Sequence, residues 1–181
     1  MKSIDVCLSP ELIDLYGVEN KVVVVVDVLR ATSCMTTAMA HGVDHIVPVT
    51  SLDKCEELGK HGYLTAAERN GQKVEGFDFG NSPFSYMTPD VEGKKVAVTT
   101  TNGTVALEKS VGAIDVLVGS FLNLTAICNY LKQKNEDVLV FCAGWKGKVN
   151  LEDTLFAGAV VSVLKDKFSV TNDAAILAAA S

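Results

Sequence analysis

"VVVVVDVLRATS", from Val22 to Ser33, carries the reading of the fold. Five valines in a row do not alternate with polar residues, so both faces of this segment require apolar neighbours. A strand requires that when its sheet is covered on both sides, as in parallel α/β sheets. The run stops at a carboxylate, Asp27, and passes through Arg30 into the small and hydroxyl residues Ala31, Thr32 and Ser33. A buried strand that hands over to a helix reads this way.

Working outward, Val22–Val28 has four companions of similar character: His45–Val49, Lys95–Thr100, Val116–Gly119 and Val138–Ala143. Helix-like segments lie between them, at Ser33–His41, Leu52–His61, Thr104–Val111, Leu124–Lys134 and Leu151–Lys167. Ser51 and Asn123 stand where N-caps belong, and Gly42, Gly62 and Gly112 stand just past helix ends. Strand and helix alternate, which predicts an α/β fold with a largely parallel sheet between helix layers. Tyr63–Gly93 breaks the alternation. It is rich in Gly, Pro and Asn, and such a stretch is either functional or carries short strands. The closing "TNDAAILAAAS" stops within a helical pattern and has no C-cap, so a C-terminal segment is expected to be lacking.

At 181 residues the chain suits one domain over 1–181 with a real core. Apolar residues make up 48% and charged residues 21%, an ordinary globular balance. A net charge of −6 without any Lys/Arg cluster argues against nucleic acid as a partner. The five cysteines include no C-x-x-C, which fits a reducing, cytoplasmic compartment. The N-terminus lacks the apolar core of a signal peptide, and no apolar run is long enough to span a membrane. Homo-oligomerisation stays open.

Ligands of open α/β sheets bind beyond the carboxyl ends of the strands. Those ends carry Asp27, Arg30 and Thr32; Thr99–Thr104; Gly119-Ser120; and Gly144–Gly147 followed by Glu152-Asp153. "TTTNGT" joins hydroxyl donors to a flexible glycine at a helix start, the equipment of a phosphate or sulfonate cradle. The alternative is strand threonines followed by an Asn cap. Asp27, at the end of five valines, needs a metal, a hydrogen-bond network or a cation, and Arg30 is the nearest cation. It reads either as an Asp–Arg pair or as a Mg²⁺ ligand or catalytic carboxylate, with Arg30 gripping an oxyanion. Glu152 and Asp153 either complement a helix dipole or complete a Mg²⁺ carboxylate set. The Walker, dinucleotide-binding and nucleophile-elbow motifs are all absent.

"VVVVVDVLRATS", "AERNGQKVEGFDFGNSP", "TTTNGT", "GSFLN" and "CAGWKGKVNLEDTLFAG", in this order, resemble the 2-phosphosulfolactate phosphatases. The resemblance runs from the N-terminus to about Asp173. It implies a three-layer α/β/α domain with a mixed, largely parallel central sheet. It also implies Mg²⁺-dependent hydrolysis of 2-phosphosulfolactate to 3-sulfolactate and phosphate, a step of coenzyme M synthesis or another sulfolactate route. Carried over by position, Asp27, Arg30 and Glu68 are the catalytic candidates. Thr32, Arg69, Asn81, Ser82, Thr101, Asn102, Gly103 and Thr104 are the substrate-binding candidates. Asp27, Glu152 and Asp153 are the metal-binding candidates. Members carry Gly-Glu-Arg-Gly where this chain has Ala67-Glu68-Arg69-Asn70, which implies less local backbone freedom. Members also continue for roughly another third of this length. Haloacid dehalogenase-type phosphatases need a second acid two residues after the first, and Leu29 stands there instead. The competing readings are a catalytically silent phosphate- or sulfonate-binding domain and a phosphohydrolase for another small phosphorylated hydroxy acid.

Overall fold

The computed structural model describes residues Met1–Ser181. In chain order the first half contains β1 (Ser3–Cys7), β2 (Lys21–Val26), α1 (Ala31–Ala40), β3 (His45–Pro48), α2 (Leu52–Lys60), β4 (Leu64–Arg69) and β5 (Gln72–Lys73). The second half contains β6 (Lys95–Thr99), α3 (Gly103–Lys109), β7 (Asp115–Gly119), α4 (Leu124–Lys134), β8 (Asp137–Cys142), α5 (Leu151–Leu164), β9 (Ser169–Val170) and α6 (Asp173–Ala180). The fold is α/β, and all but one of its strand pairings are parallel.

The strands form two sheets. One has the order β7-β2-β8-β1-β9, the other β3-β6-β4-β5. The chain crosses between them through α1, which joins β2 to β3, and returns through α3, which joins β6 to β7. Alternation along the sequence predicts parallel crossovers but does not say which sheet receives the next strand.

The valine run shows why it is continuous. Val22, Val24 and Val26 pack with Ile127 and Leu131 of α4, Phe156 of α5 and Ala175 of α6. Val23 and Val25 face the other way, against Ala106 of α3, Ile13 and Phe141. All five are 0–1% exposed. In the second sheet, Val96 and Val98 of β6 meet Cys34, Met35 and Ala38 of α1, while Ala97 meets Cys55 of α2. Both sheets are therefore covered on two faces. Burying a Val side chain contributes roughly 1.5–3 kcal/mol, so β2 is a major anchor of the first sheet.

Tyr63–Gly93 holds β4, β5 and the short 3₁₀ turns Pro83–Tyr86 and Pro89–Val91. β4 is central in its sheet, yet its buried residues are the small or polar Thr65, Ala66, Ala67 and Glu68, so it lacks an apolar run. Asn70 and Gly71 turn β4 into antiparallel β5 with φ of 54° and 82°. Two positive φ values are what a two-residue hairpin asks for, and Asn-Gly is its preferred pair. Asn70 thus reaches the left-handed region without being glycine. No helix is long and apolar enough to cross a membrane.

Candidate active site

The carboxyl ends of β2, β4, β6 and β8 meet where the two sheets adjoin. A small cleft of about 40 Å³ opens there, lined by Asp27, Leu29, Arg30, Glu68, Gly71, Asn81, Asn102 and Trp145. Asp27 lies at its floor, 6% exposed. Its Oδ1 accepts from the Ala31 N–H of α1 at 3.3 Å. The Gly103 N–H at the start of α3 donates to the same carboxylate. Burial pushes the Asp27 carboxyl up to about 6; the charges of Glu68 and Glu152 push the same way, while the Ala31 and Gly103 N–H groups oppose them.

Glu68 is the penultimate residue of β4 and is held by donors from two directions. The Thr101 N–H reaches Oε2 at 3.2 Å and the Thr101 hydroxyl reaches Oε1 at 3.1 Å. The Gly71 N–H of the hairpin turn also donates to Oε1. "TTTNGT" is therefore a cradle whose occupants are the chain's own carboxylates. Thr101 serves Glu68 and Gly103 serves Asp27. The Thr104 N–H goes to the Thr100 hydroxyl at 3.2 Å, and the Thr104 hydroxyl goes to the Thr100 carbonyl at 3.0 Å. Of the expected substrate donors, Thr101 and Gly103 face the acids of the cleft, and Thr104 closes the turn on Thr100.

Thr32 is likewise engaged: its hydroxyl donates to the Asp27 carbonyl at 2.8 Å and accepts from the Asp27 N–H at 3.1 Å. It shapes the turn after β2. Arg69 donates to the Glu68 carbonyl at 2.7 Å and to the Thr99 hydroxyl at 3.0 Å, which ties β4 to β6. Neither Arg69 nor Ser82 lines the cleft, whereas Asn81 and Asn102 do.

Asp153 is fully buried, and both its oxygens are used inside the fold. Oδ1 accepts from the Val28 N–H at 2.8 Å and Oδ2 from the Gly144 N–H at 3.1 Å. The Asn150 side chain donates as well, while its own buried Oδ1 has no partner. Burial pushes Asp153 up to about 7; the Val28 N–H opposes this and the Asp27 charge adds to it. Asp153 thus clamps the loops after β2 and β8. No three His, Cys, Asp or Glu side chains close around one point. Asp27 on the cleft floor and Glu152, whose charge it feels, are the hard oxygen donors that fit Mg²⁺. Such a site takes its remaining ligands from substrate oxygens and water.

Arg30 borders the cleft at the N-cap of α1. The ion pairs of the chain are Lys2–Glu136, Lys21–Asp5, His45–Asp44 and Lys134–Asp115, so Arg30 is not locked to Asp27. Its planar fork is free for an oxyanion. Leu29, Gly71 and Trp145 complete the lining, and none of them is among the catalytic, substrate-binding or metal-binding candidates of the sequence. For Trp145 the available signal was its position just past a buried strand.

An acid-floored cleft with an unpaired arginine, at the carboxyl ends of parallel strands, marks an α/β enzyme for a small anionic molecule. Residues 7–181 match the family model for 2-phosphosulpholactate phosphatase, and the chain belongs to that family. It is 44% identical over 162 residues to a protein of Thermotoga maritima named "Probable 2-phosphosulfolactate phosphatase", covering 90% of this chain and 69% of that one. A Caldanaerobacter subterraneus protein of the same name is 43% identical over 159 residues, 86% of this chain and 66% of its own length. One from Clostridium acetobutylicum is 40% identical over 168 residues, 91% and 71% respectively. The chain spans about two thirds of the length of these relatives.

Proposed function

We propose that this chain hydrolyses the phosphate monoester of 2-phosphosulfolactate, releasing 3-sulfolactate and phosphate, with Mg²⁺ as its cofactor. The observation that carries the reading is Arg30, an arginine outside every ion pair, on the rim of the cleft whose floor is Asp27 and whose wall is Glu68. In this reading Arg30 takes two phosphoryl oxygens bidentately and offsets charge that grows as the ester bond breaks. Asp27, fixed by the N–H groups of Ala31 and Gly103, holds the attacking water in line with the phosphorus. Glu68, pinned by Thr101 and Gly71, ties the loop after β6 to the β4–β5 turn and presents its carboxylate as the cleft wall. Asn81 and Asn102 supply neutral polar groups to the same cleft. Bound Mg²⁺ would neutralise phosphate charge and act as a Lewis acid, with Asp27 and Glu152 as its protein ligands.

The site needs both sheets, which supports treating 1–181 as one functional domain. Five buried, unpaired cysteines support a reducing, cytoplasmic setting. The test is phosphate release from 2-phosphosulfolactate with Mg²⁺ and after complete chelation, beside a panel of other phosphorylated hydroxy acids. Release that chelation abolishes is expected. Full activity after chelation overturns the Mg²⁺ assignment, a preference for another panel member overturns the substrate, and binding without release leaves a silent binding domain.

A further inference from the structure

The loop after β8 is a second small hairpin. The Trp145 N–H reaches the Lys148 carbonyl at 2.8 Å, and the Lys148 N–H reaches the Trp145 carbonyl at 3.0 Å. The turn residues Lys146 and Gly147 have φ of 51° and 78°. Glycine at the second place is ordinary. Lysine in the left-handed region is not, because its Cβ then crowds the neighbouring carbonyl oxygen. Residues kept in such conformations cluster at ligand sites.

This hairpin is fixed on three sides. Gly144 at its base donates to Asp153 at 3.1 Å. The Gly147 carbonyl at its tip accepts from the Ser9 hydroxyl at 2.6 Å. The Lys146 N–H donates to Asn102 Oδ1 at 3.2 Å, which reaches across to the other sheet's contribution to the cleft. The Trp145 ring lines the cleft, and the Lys146 ammonium lies 5.4 Å from the centroid of that ring. Lys146, like Arg30, belongs to none of the ion pairs.

We infer that the Trp145–Lys148 hairpin is the recognition element for the sulfonate of the substrate, with the Lys146 ammonium as its counter-charge and the Trp145 ring as the wall for the adjoining methylene. The inference rests on the phosphatase reading above. A substrate with three anionic groups on three carbons needs more than one cation. Arg30 serves the phosphoryl group by its fork, and a sulfonate, whose charge is spread over three oxygens, suits the point charge of a lysine. The backbone bond to Asn102 sets where that charge stands, and the cation–π contact keeps it over the ring.

The test compares kcat/KM for 2-phosphosulfolactate and for 2-phospholactate, which lacks the sulfonate, in the wild type, Lys146→Met, Lys146→Arg and Lys146→Gly. The ratio of the two is expected to fall roughly tenfold or more in Lys146→Met and Lys146→Gly, mainly through KM, and to recover largely in Lys146→Arg. Lys146→Gly removes the backbone strain, so its Tm should not fall although selectivity does, an outcome that a merely structural lysine does not give. Calorimetry of 3-sulfolactate against lactate, both products, reads the same selectivity without turnover. An unchanged ratio in Lys146→Met, with active wild type, overturns the hairpin assignment alone. Wild type that binds 3-sulfolactate through Lys146 but releases no phosphate overturns the phosphatase reading alone. Failure to bind or turn over either sulfonated compound overturns both.

Discussion

Replacing Gly103 by alanine tests whether the start of α3 is shaped around Asp27. A Cβ at Gly103 would stand 2.6 Å from the Ala31 Cβ and 2.8 Å from Asp27 Oδ2. Carbon contacts relax at about 3.5–4.0 Å, so the N-termini of α1 and α3 must part by about 1 Å. That separation breaks the Gly103 N–H bond to Asp27. Overpacking of this kind costs about 1–3 kcal/mol. The lost bond is part of the same relaxation, so we take about 2 kcal/mol in all. For a chain of this size that lowers Tm by roughly 4–8 °C. The active-site consequence is larger, because a 1 Å displacement costs on the order of a hundredfold in rate. The assay is kcat/KM for phosphate release, with Tm by calorimetry and near-UV circular dichroism as a check on tertiary packing. The sign discriminates well: at an uncrowded helix position, Gly→Ala stabilises by about 1 kcal/mol. A Gly103→Ala protein with a higher Tm and near-normal activity would refute the reasoning.

Arg30→Lys should lower kcat/KM roughly ten- to hundredfold, since lysine cannot give two parallel hydrogen bonds, and should leave Tm near the wild-type value because no ion pair is lost; a falling Tm with normal kinetics would make Arg30 structural. Asp153→Asn should lower stability by about 1–3 kcal/mol, because the Val28 or the Gly144 N–H then loses its acceptor, while Mg²⁺ affinity measured by calorimetry stays close to wild type; a large loss of Mg²⁺ affinity with normal stability would make Asp153 a ligand. Asp137 accepts from the Ser3 N–H at 2.7 Å and from its hydroxyl at 3.1 Å, and the N–H bond above all holds its carboxyl below the usual range. A depressed carboxyl stabilises the fold above its unfolded pKa of about 3.9 and loses that contribution as pH falls through the lower folded value. Denaturant titrations should therefore show a gap of about 1 kcal/mol between wild type and Asp137→Asn at neutral pH, discounted for partial exposure, and a smaller gap in strong acid.

The valine run, the five predicted strands and the five predicted helices were legible because each leaves a local trace: a continuous apolar run, a cap, a glycine after a helix. β4 left none, since Ala66 and Ala67 are buried by what surrounds them and not by their own bulk. β1 is cut to five residues that mix Ser, Asp and Cys with Ile and Val, so its burial in mid-sheet does not stand out. The division into two sheets is a property of long-range pairing, which periodicity does not encode. In the site, Asp27, Arg30 and Asn102 were readable as polar groups at strand ends, whereas Glu68 and Asn81 came from the family resemblance alone; all five line the cleft. What sequence could not distinguish is a donor offered to a ligand from a donor consumed at home. Thr32, Thr101, Thr104 and Asp153 have the right chemistry, but their hydrogen bonds close within the fold. Asn70 keeps the turn because asparagine tolerates positive φ.

α1 belongs to both halves of the molecule. Cys34, Met35 and Ala38 are embedded in the second sheet's core, while the Ala31 N–H at its first residue touches the carboxylate that ends β2 of the first sheet. The helix is a lever arm about 15 Å long, and a tilt of a few degrees moves its tip by about 1 Å. Catalytic geometry is thereby exposed to side chains that never see the cleft. Trimming Met35 or Ala38 re-seats the fulcrum, and the error arrives at Asp27 magnified by the length of the arm. An engineer seeking thermal resistance would do well to leave this pivot alone and reinforce the outer strands. Selection for turnover, by contrast, has a remote adjusting screw that works without altering a residue of the cleft.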